Sequence, residues 1–489
     1  IGVDVRWGIT PNTSLSLTVN PDFSSIETDD GQLNVNETFS LYYQEKRAFF
    51  LDNSDYFTTN YNLVYTRNIV SPDYGVKLTS SQKKHSYGLF ITHDQNTHFI
   101  NPGNLSSSTT TLAQESHSGA LRYRYDYSDS LSVGTISTLR SADNYHNYVF
   151  GIDGKYRFDD SNTLYVQTLH ADSAYPELTQ QTDSSDKLTD QAYKIELTHN
   201  SEYWQLYAGH KNIGKAFRAD LGFMPKADIK EETVSVKRAF YSEQDSLWQT
   251  ANVAGQWQII HNQNNELIER TLEATVDIDG PMQSFFEAKL VHGEKLGLRH
   301  DESKLAINGN TSRFEENQVI IYSDIKPTNR TYLSLEVTAG DKIDYRNDRL
   351  GDLIEVAANI TINITNHLEF DFYQTYSKLD ADNEQGIKDN VYIAKLSELR
   401  LSYQFDVYSY LKLNLVYSDI DRNPDNNPFV YVSTVNKSLS TQLIYAYKLT
   451  PQTVFFLGYS DSSYQDDDLN DLSREERTFF TKVSYAWAP

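Results

Sequence analysis

The sequence predicts an all-β chain folded as one large, closed, antiparallel transmembrane β-barrel of about 22 to 26 strands. Three observations carry that expectation. Polar and apolar residues alternate with period two along most of the chain. Connectors alternate between short and long. No segment approaches the roughly 20 consecutive apolar residues that a membrane-spanning helix needs.

The alternation is plain in several stretches. Leu121, Tyr123, Tyr125 and Tyr127 share one face, with Arg122, Arg124 and Asp126 on the other. Leu411, Leu413, Leu415 and Tyr417 oppose Lys412 and Asn414, and are expected to face lipid. Leu333, Leu335 and Val337 alternate with Ser334, Glu336 and Thr338, and Ile360, Ile362 and Ile364 with Thr361, Asn363 and Thr365. Such segments are strands with one apolar and one polar face. A soluble sandwich or propeller also alternates, but its apolar faces must meet each other. Here the apolar faces are rich in Tyr, Phe and Leu, and the opposite faces are crowded with charge. No repeat of propeller length recurs.

Short connectors are expected at Pro11-Asn12, Ser128-Asp129, Asp159-Asp160-Ser161, Ser201-Glu202, Lys326 to Asn329, Asn366-His367 and Pro451-Gln452. Long polar loops are expected near 97–116, 173–189, 213–230, 294–314, 380–389, 421–434 and 463–474. In a transmembrane barrel the short turns are periplasmic and the long loops extracellular.

Composition agrees. The chain has 489 residues, with 35 Tyr and 23 Phe, and these rings suit a surface wet at one end and apolar at the other. Acidic residues outnumber basic ones 67 to 43, for a net charge of −24, which argues against nucleic acid as a partner. The natural surroundings are outer-membrane lipid and lipopolysaccharide. Cysteine is absent, removing disulfides, thiolate metal sites, cysteine nucleophiles and covalent c-type haem attachment together. The opening Ile1-Gly2-Val3-Asp4 has no basic-then-apolar leader, so any signal peptide is expected to have been removed.

In the last strand Phe479, Thr481, Val483, Tyr485 and Trp487 form one face, and this aromatic ending resembles the assembly signal of bacterial outer-membrane barrels. The segmentation gives about 25 strands, whereas single-chain bacterial barrels have even numbers. Either a strand precedes Ile1 or one segment lies outside the wall. Residues 41–57, "LYYQEKRAFFLDNSDYF", are the obvious candidate for the second case, because they break the alternation and mix charge with phenylalanine. A lumen or plug element within 21–60 of a single 1–489 barrel domain follows. Its candidate residues are Asp22, Glu27, Glu45, Lys46, Arg47 and Arg67, with Arg47 expected to form a bidentate pair with Asp22 or Glu27.

"GVDVRWGITPNTSLSLTVNPDFSSIETD" (Gly2 to Asp29), "YYQEKRAFFLDNSDYF" and "LVYTRNI" (Leu63 to Ile69) occur in that order, followed later by "DLGFMPKADIK" (Asp220 to Lys230). Together they resemble one uncharacterised bacterial family, the outer-membrane barrel known as domain of unknown function 5916, commonly found downstream of a carbohydrate-binding family-9-like domain. The resemblance implies an outer-membrane barrel with no settled activity, and a missing N-terminal domain or another protein as partner. The chain departs from the family pattern at Ser24-Ser25-Ile26, where Gln-Val-type residues are expected, and at Ala48, where proline is.

The search for chemistry is mostly negative. There is no HExxH, no GxSxG and no GxxxxGK[ST], and neither a catalytic residue nor a cofactor site is marked. The 12 histidines are scattered, which leaves a Ser-His-Asp arrangement in the barrel open. Asp419, Asp421, Asn423 and Asp425 place oxygens at alternate positions, but Pro424 and Val430 stand where a calcium loop needs Gly and Glu. These four are weak calcium candidates in an acidic loop; cation bridging to lipopolysaccharide phosphates is an intermediate case. The first functional reading is a non-enzymatic pore or transporter with a constricted lumen, located in the bacterial outer membrane. The alternative is a scaffold or sheath around a partner subunit, such as an electron-transfer protein, and the third is a barrel-embedded hydrolase.

Overall fold

The structure is a computed structural model, describing residues 2–21, 29–176, 187–243, 246–427, 433–450 and 453–484. It begins with a hairpin, β1 (Val3–Thr10) and β2 (Thr13–Val19), followed by a long segment with no strand among its described residues. Then come β3 (Pro72–Gln82), β4 (His85–Asp94), the short β5 (Thr97–Asn101) and β6 (Ser108–Leu112), β7 (Ser116–Asp126), β8 (Leu131–Ala142) and β9 (Tyr145–Arg157). They are followed by β10 (Asn162–Ala174), β11 (Lys187–Asn200), β12 (Trp204–Ile213), β13 (Ile229–Tyr241), β14 (Thr250–His261), β15 (Leu267–Asp279) and β16 (Phe285–Arg299). The chain continues through β17 (Thr311–Thr328), β18 (Thr331–Asp344), β19 (Arg349–Asn363), β20 (Leu368–Asp382) and β21 (Lys388–Gln404). It closes with β22 (Ser409–Arg422), β23 (Val435–Thr450), β24 (Thr453–Gln465) and β25 (Ser473–Ser484).

All but β5 and β6 join one antiparallel sheet of 23 strands, each hydrogen-bonded to its neighbours in sequence; β5 and β6 pair separately. The count falls within the expected range. The expected 97–116 loop is therefore a structured hairpin rather than irregular chain.

Period two decides the faces. On β4, Gly88, Phe90, Thr92 and Asp94 are buried while Leu89 and Ile91 are exposed. The same alternation gives an exposed apolar face across the sheet, carrying Leu121, Phe150, Ile195, Leu272 and Leu290, the last 60% exposed. Side chains this apolar are stable in such exposure only against another apolar phase. The opposite face carries Lys77, Arg122, Gln167, Glu231, Asp277, Glu316 and Glu398.

Most turns at one rim are short: 11–12, 83–84, 127–130, 158–161, 201–203, 329–330, 364–367 and 405–408, the longer connector 242–249 being the exception there. Connectors at the other rim include 95–115, 214–228, 300–310 and 423–434. The division is not uniform. The long-loop rim also holds the two-residue turn Asp143-Asn144, where Asn144 takes the left-handed conformation (φ 59°) that asparagine tolerates, and 345–348 is short as well. The expected loops 294–314 and 380–389 shrink to 300–310 and 383–387, because strand pairing extends beyond the last apolar residue.

Residues 41–57 lie outside the wall, as expected, with a helical turn at Ala48–Leu51 and a 3-10 turn at Ser54–Phe57. Removing them and the β5–β6 hairpin still leaves an odd count. In a 23-stranded antiparallel order, β1 and β25 run in the same direction. The terminal strand keeps its apolar edge, with Phe479 and Val483 both 73% exposed, while Tyr485 and Trp487 lie outside the described residues.

Candidate functional site

The segment from 29 to 71 lies on the polar face and is built around Arg47. The guanidinium grips Glu45 with two parallel bonds, Nε to Oε1 at 2.8 Å and Nη2 to Oε2 at 2.6 Å. It also donates to the carbonyls of Ile69 (2.6 Å) and Thr66 (2.5 Å) and lies 4.4 Å above the Phe50 ring. Glu45 takes a further bond from Thr66 Oγ1 at 2.6 Å. Burial pushes the Glu45 carboxyl up, but the Arg47 guanidinium overrides it and holds the group below the ordinary glutamate value. With Arg47 only 5% exposed, this is a buried, fully bonded ion pair. It tightens a chain reversal, closing residues 45–47 onto 66–69.

The grip on Glu45, two residues away, follows from the extended backbone at Arg47, which sets alternate side chains on one side. Asp22 and Glu27 lie outside the described residues. Lys46 reaches Asp30 at 3.1 Å, and Arg67 pairs with Asp29.

One flank of the segment is sewn to β3, β4 and β8. Lys77 on β3 donates to the carbonyls of Phe49 and Asp52. Phe57 packs edge-on to Phe90 of β4, ring centroids 5.2 Å apart. Asp94, fully buried, accepts the backbone N–H groups of Val70 (2.9 Å) and Ser71 (2.7 Å) and lies 3.6 Å from the equally buried Arg140 of β8. Arg140 in turn donates to Asn68 O at 2.9 Å.

The 214–228 connector folds onto the same segment. Tyr65 N–H donates to Leu221 O (2.8 Å), Phe223 N–H to Asn62 O (2.9 Å), and Asn68 Nδ2 to the carbonyls of Asp220 and Gly222. A Cβ at Gly222 would lie 2.4 Å from Asn62 O, so only glycine permits the approach. The two motif stretches 63–69 and 220–230 therefore meet, an association that their distance along the chain conceals. The Asp220 carboxyl accepts the hydroxyls of Tyr145 (2.7 Å) and Tyr175 (2.9 Å), and its burial raises it above the ordinary aspartate value.

The other end crosses to the far strands. Asp30 bonds Arg400 of β21 at 2.7 Å. Asn36 donates to Ile343 O of β18 at 2.7 Å, and Leu33 and Val35 pack against Leu379, Ala394 and Ile420. At Gly31 a Cβ would meet Leu396 at 2.8 Å. Segment 29–71 thus touches strands at both ends of the sequence order. Where it does not cover the polar face, a groove of about 410 Å³ lies over β11–β16, lined by Tyr207, Lys237, Glu273, Asp277, Glu287 and Lys289 among others.

Two of the calcium candidates have protein partners. Asp419 faces Lys437 at 3.4 Å, and Asn423 accepts the Asp425 N–H to cap the 3-10 turn at Pro424–Asn426. No group of three or more His, Asp or Glu side chains among the described residues is arranged to hold a metal ion.

Residues 1–111 match the model of a family described as Domain of unknown function (DUF5916), which bears out the resemblance read from the opening motifs; residues 220–230 lie beyond the match. No curated protein sequence matches the chain. Among solved structures it is similar to the siderophore receptor PirA from Acinetobacter baumannii, at 9% identity and a TM-score of 0.45, covering 88% of this chain and 81% of that one. A mutant of the ferric enterobactin receptor PfeA from Pseudomonas aeruginosa aligns at 10% identity and 0.45, covering 83% and 76%. OmpT, an outer membrane protein of Vibrio cholerae, aligns at 10% identity and 0.32, covering 79% and 99%.

Proposed function

We propose that the chain is a closed bacterial outer-membrane barrel of the pore or transporter type, its lumen constricted from within by residues 29–71. The exposed apolar face meets lipid, and the polar face lines the lumen. Short turns are periplasmic and long connectors extracellular. One observation carries the reading: the same segment is bonded to Lys77 on β3 and to Arg400 on β21, so it spans the polar face instead of lying along one strand. A charged element with satisfied partners can be held there only if the space is wet or walled by polar groups, as a lumen is. The groove over β11–β16 is the part left open, and its mixed Lys, Asp and Glu lining suits a small polar solute.

Conductance in planar bilayers tests this. The intact protein should pass small, restricted currents, and a variant in which a short linker replaces 29–71 should pass large ohmic ones. Equal conductance in both would overturn the constriction. A silent barrel that co-purifies with a subunit from native membranes would point to the scaffold reading instead.

A further inference from the structure

The cross-strand register of β10, β11 and β12 places three side chains together at the short-turn rim, on the apolar face. Asn162 stands opposite His199, and His199 opposite Leu206. His199 Nδ1 lies 2.9 Å from Asn162 Oδ1, and His199 Nε2 lies 3.1 Å from Ser201 Oγ. The amide of Asn162 is itself oriented. Both oxygens of Asp159 accept its Nδ2, at 2.9 and 2.8 Å, so Oδ1 is turned to the imidazole. An acceptor at Nδ1 fixes the proton on that nitrogen and leaves the Nε2 lone pair facing the serine. The hydrogen bonds from Asn162 and from the Ser161 and Asn162 N–H groups keep the exposed Asp159 carboxyl below the ordinary aspartate value.

We propose that Ser201, His199 and Asn162 form a serine acyl-hydrolase site acting on the ester bonds of membrane phospholipids. Nucleophile, base and orienting group stand in hydrogen-bond sequence, the arrangement that activates a serine whatever the fold. Ser201 Oγ also lies 3.2 Å from Trp204 O, so its proton has a resting acceptor and turns to Nε2 for reaction. In the same turn the backbone N–H groups of Glu202 and Tyr203 make no hydrogen bond among the described residues, which leaves two donors for a developing oxyanion.

Position names the substrate class. Leu197, Trp204 and Leu206, all exposed, flank the site on the face given to lipid and would lie along an acyl chain. Arg238, directly opposite Trp204 on β13, rests its guanidinium 4.7 Å over that ring and makes no ion pair among the described residues. It is a ready partner for the lipid phosphate.

The chemistry balances without a further reagent. Ser201 Oγ attacks the acyl carbonyl as its proton passes to His199 Nε2. The tetrahedral adduct collapses, the carbonyl–oxygen bond to glycerol breaks, and Nε2–H protonates the departing alkoxide to release a lysophospholipid. Water then loses a proton to Nε2 and attacks the acyl-serine. The ester to Oγ breaks, the proton returns to Oγ, and a fatty acid leaves.

The test uses the full chain in phosphatidylethanolamine vesicles and in detergent. A fluorophosphonate probe should add covalently to the peptide carrying Ser201, and the vesicles should yield fatty acid and lysophospholipid in equal amounts. Ser201→Ala and His199→Ala should each lower turnover by roughly 10³-fold or more, with the double variant no lower than the singles. Asn162→Ala should lower kcat while leaving KM unchanged, a split that a merely structural turn residue would not give. Heat-modified gel migration checks that each variant is folded, and folded Ser201→Ala should keep its conductance. Absence of both adduct and hydrolysis in the parent protein overturns the proposal, as does an adduct that survives Ser201→Ala.

Discussion

Replacing Arg47 with methionine keeps much of the side-chain length and removes the cation. The structure fixes what is stranded: a half-wrapped Glu45 carboxylate, and the carbonyls of Ile69 and Thr66, all in a site where Arg47 is 5% exposed. Removing one member of a buried ion pair costs about 3–5 kcal/mol, because the remaining charge has lost its partner. At about 1.4 kcal/mol per tenfold, that raises the opening equilibrium of the 45–69 reversal roughly 10²- to 10⁴-fold. The wall ladders do not depend on this pair, so the barrel should still assemble. The assay is limited proteolysis of the folded protein with conductance measured in parallel; cleavage within 41–57 should appear and current should rise. Arg47→Lys should fall between, since lysine keeps the charge but not the two-pronged grip. The pair Glu45→Gln with Arg47→Met should recover part of the loss, which a double-mutant cycle measures. Unchanged cleavage together with unchanged current would refute the idea that this ion pair holds the segment shut.

Glu45 makes the same device pH-sensitive. Its folded value is depressed, so the stability it contributes is present above the ordinary glutamate range and is lost as pH falls through the folded value. Acidification through the depressed folded value should therefore raise conductance in the parent protein and not in Glu45→Gln. Gly222→Ala should loosen the junction between 58–71 and 214–228 and lower the melting temperature, because its Cβ would press on Asn62 O; an unchanged melt would show that the junction shifts freely. Asp30→Asn should change stability by less than about 1 kcal/mol, since that carboxylate is 61% exposed where it meets Arg400 and Lys46. Leu413→Arg puts a charge on the lipid face at a cost of roughly 2–4 kcal/mol and should impair assembly, whereas Asn414→Arg on the polar face should assemble normally; equal damage would undo the face assignment.

The faces of the wall were legible because one quantity, the side-chain period, determines them. Leu121 and Tyr123 fall outward and Arg122 inward for no reason beyond pleat geometry. The 41–57 stretch was legible for the converse reason, that it breaks the period. Contacts needing chain reversal were not. Arg47 also donates to the carbonyls of Thr66 and Ile69, which only the returning chain brings to it. The junction of Asn68 with Asp220 and Gly222 joins distant segments, and no local pattern announces it. His199 and Ser201 read as a strand end and a turn, and only the register that sets Asn162 opposite His199 turns them into a chain of hydrogen bonds.

The connectivity of segment 29–71 has a mechanical consequence. Its ends leave from β2 and enter β3, two strands paired side by side with Val19 facing Tyr74, and Asn20 N–H is still bonded to Asp73 O. A cork on a free terminus can be drawn out by its end. This one is a bight of rope with both ends made fast at the same cleat, and a pull on it loads the β2–β3 ladder, where many hydrogen bonds resist together. If the segment constricts a lumen as proposed, clearance for a solute would come from slackening in place: letting go of Asp30 and Asn36 at the far side first, where the holds are exposed or few, while the Arg47 knot beside β3 stays tied. The widened passage would then lie against β18–β22, with the slack gathered on the opposite wall.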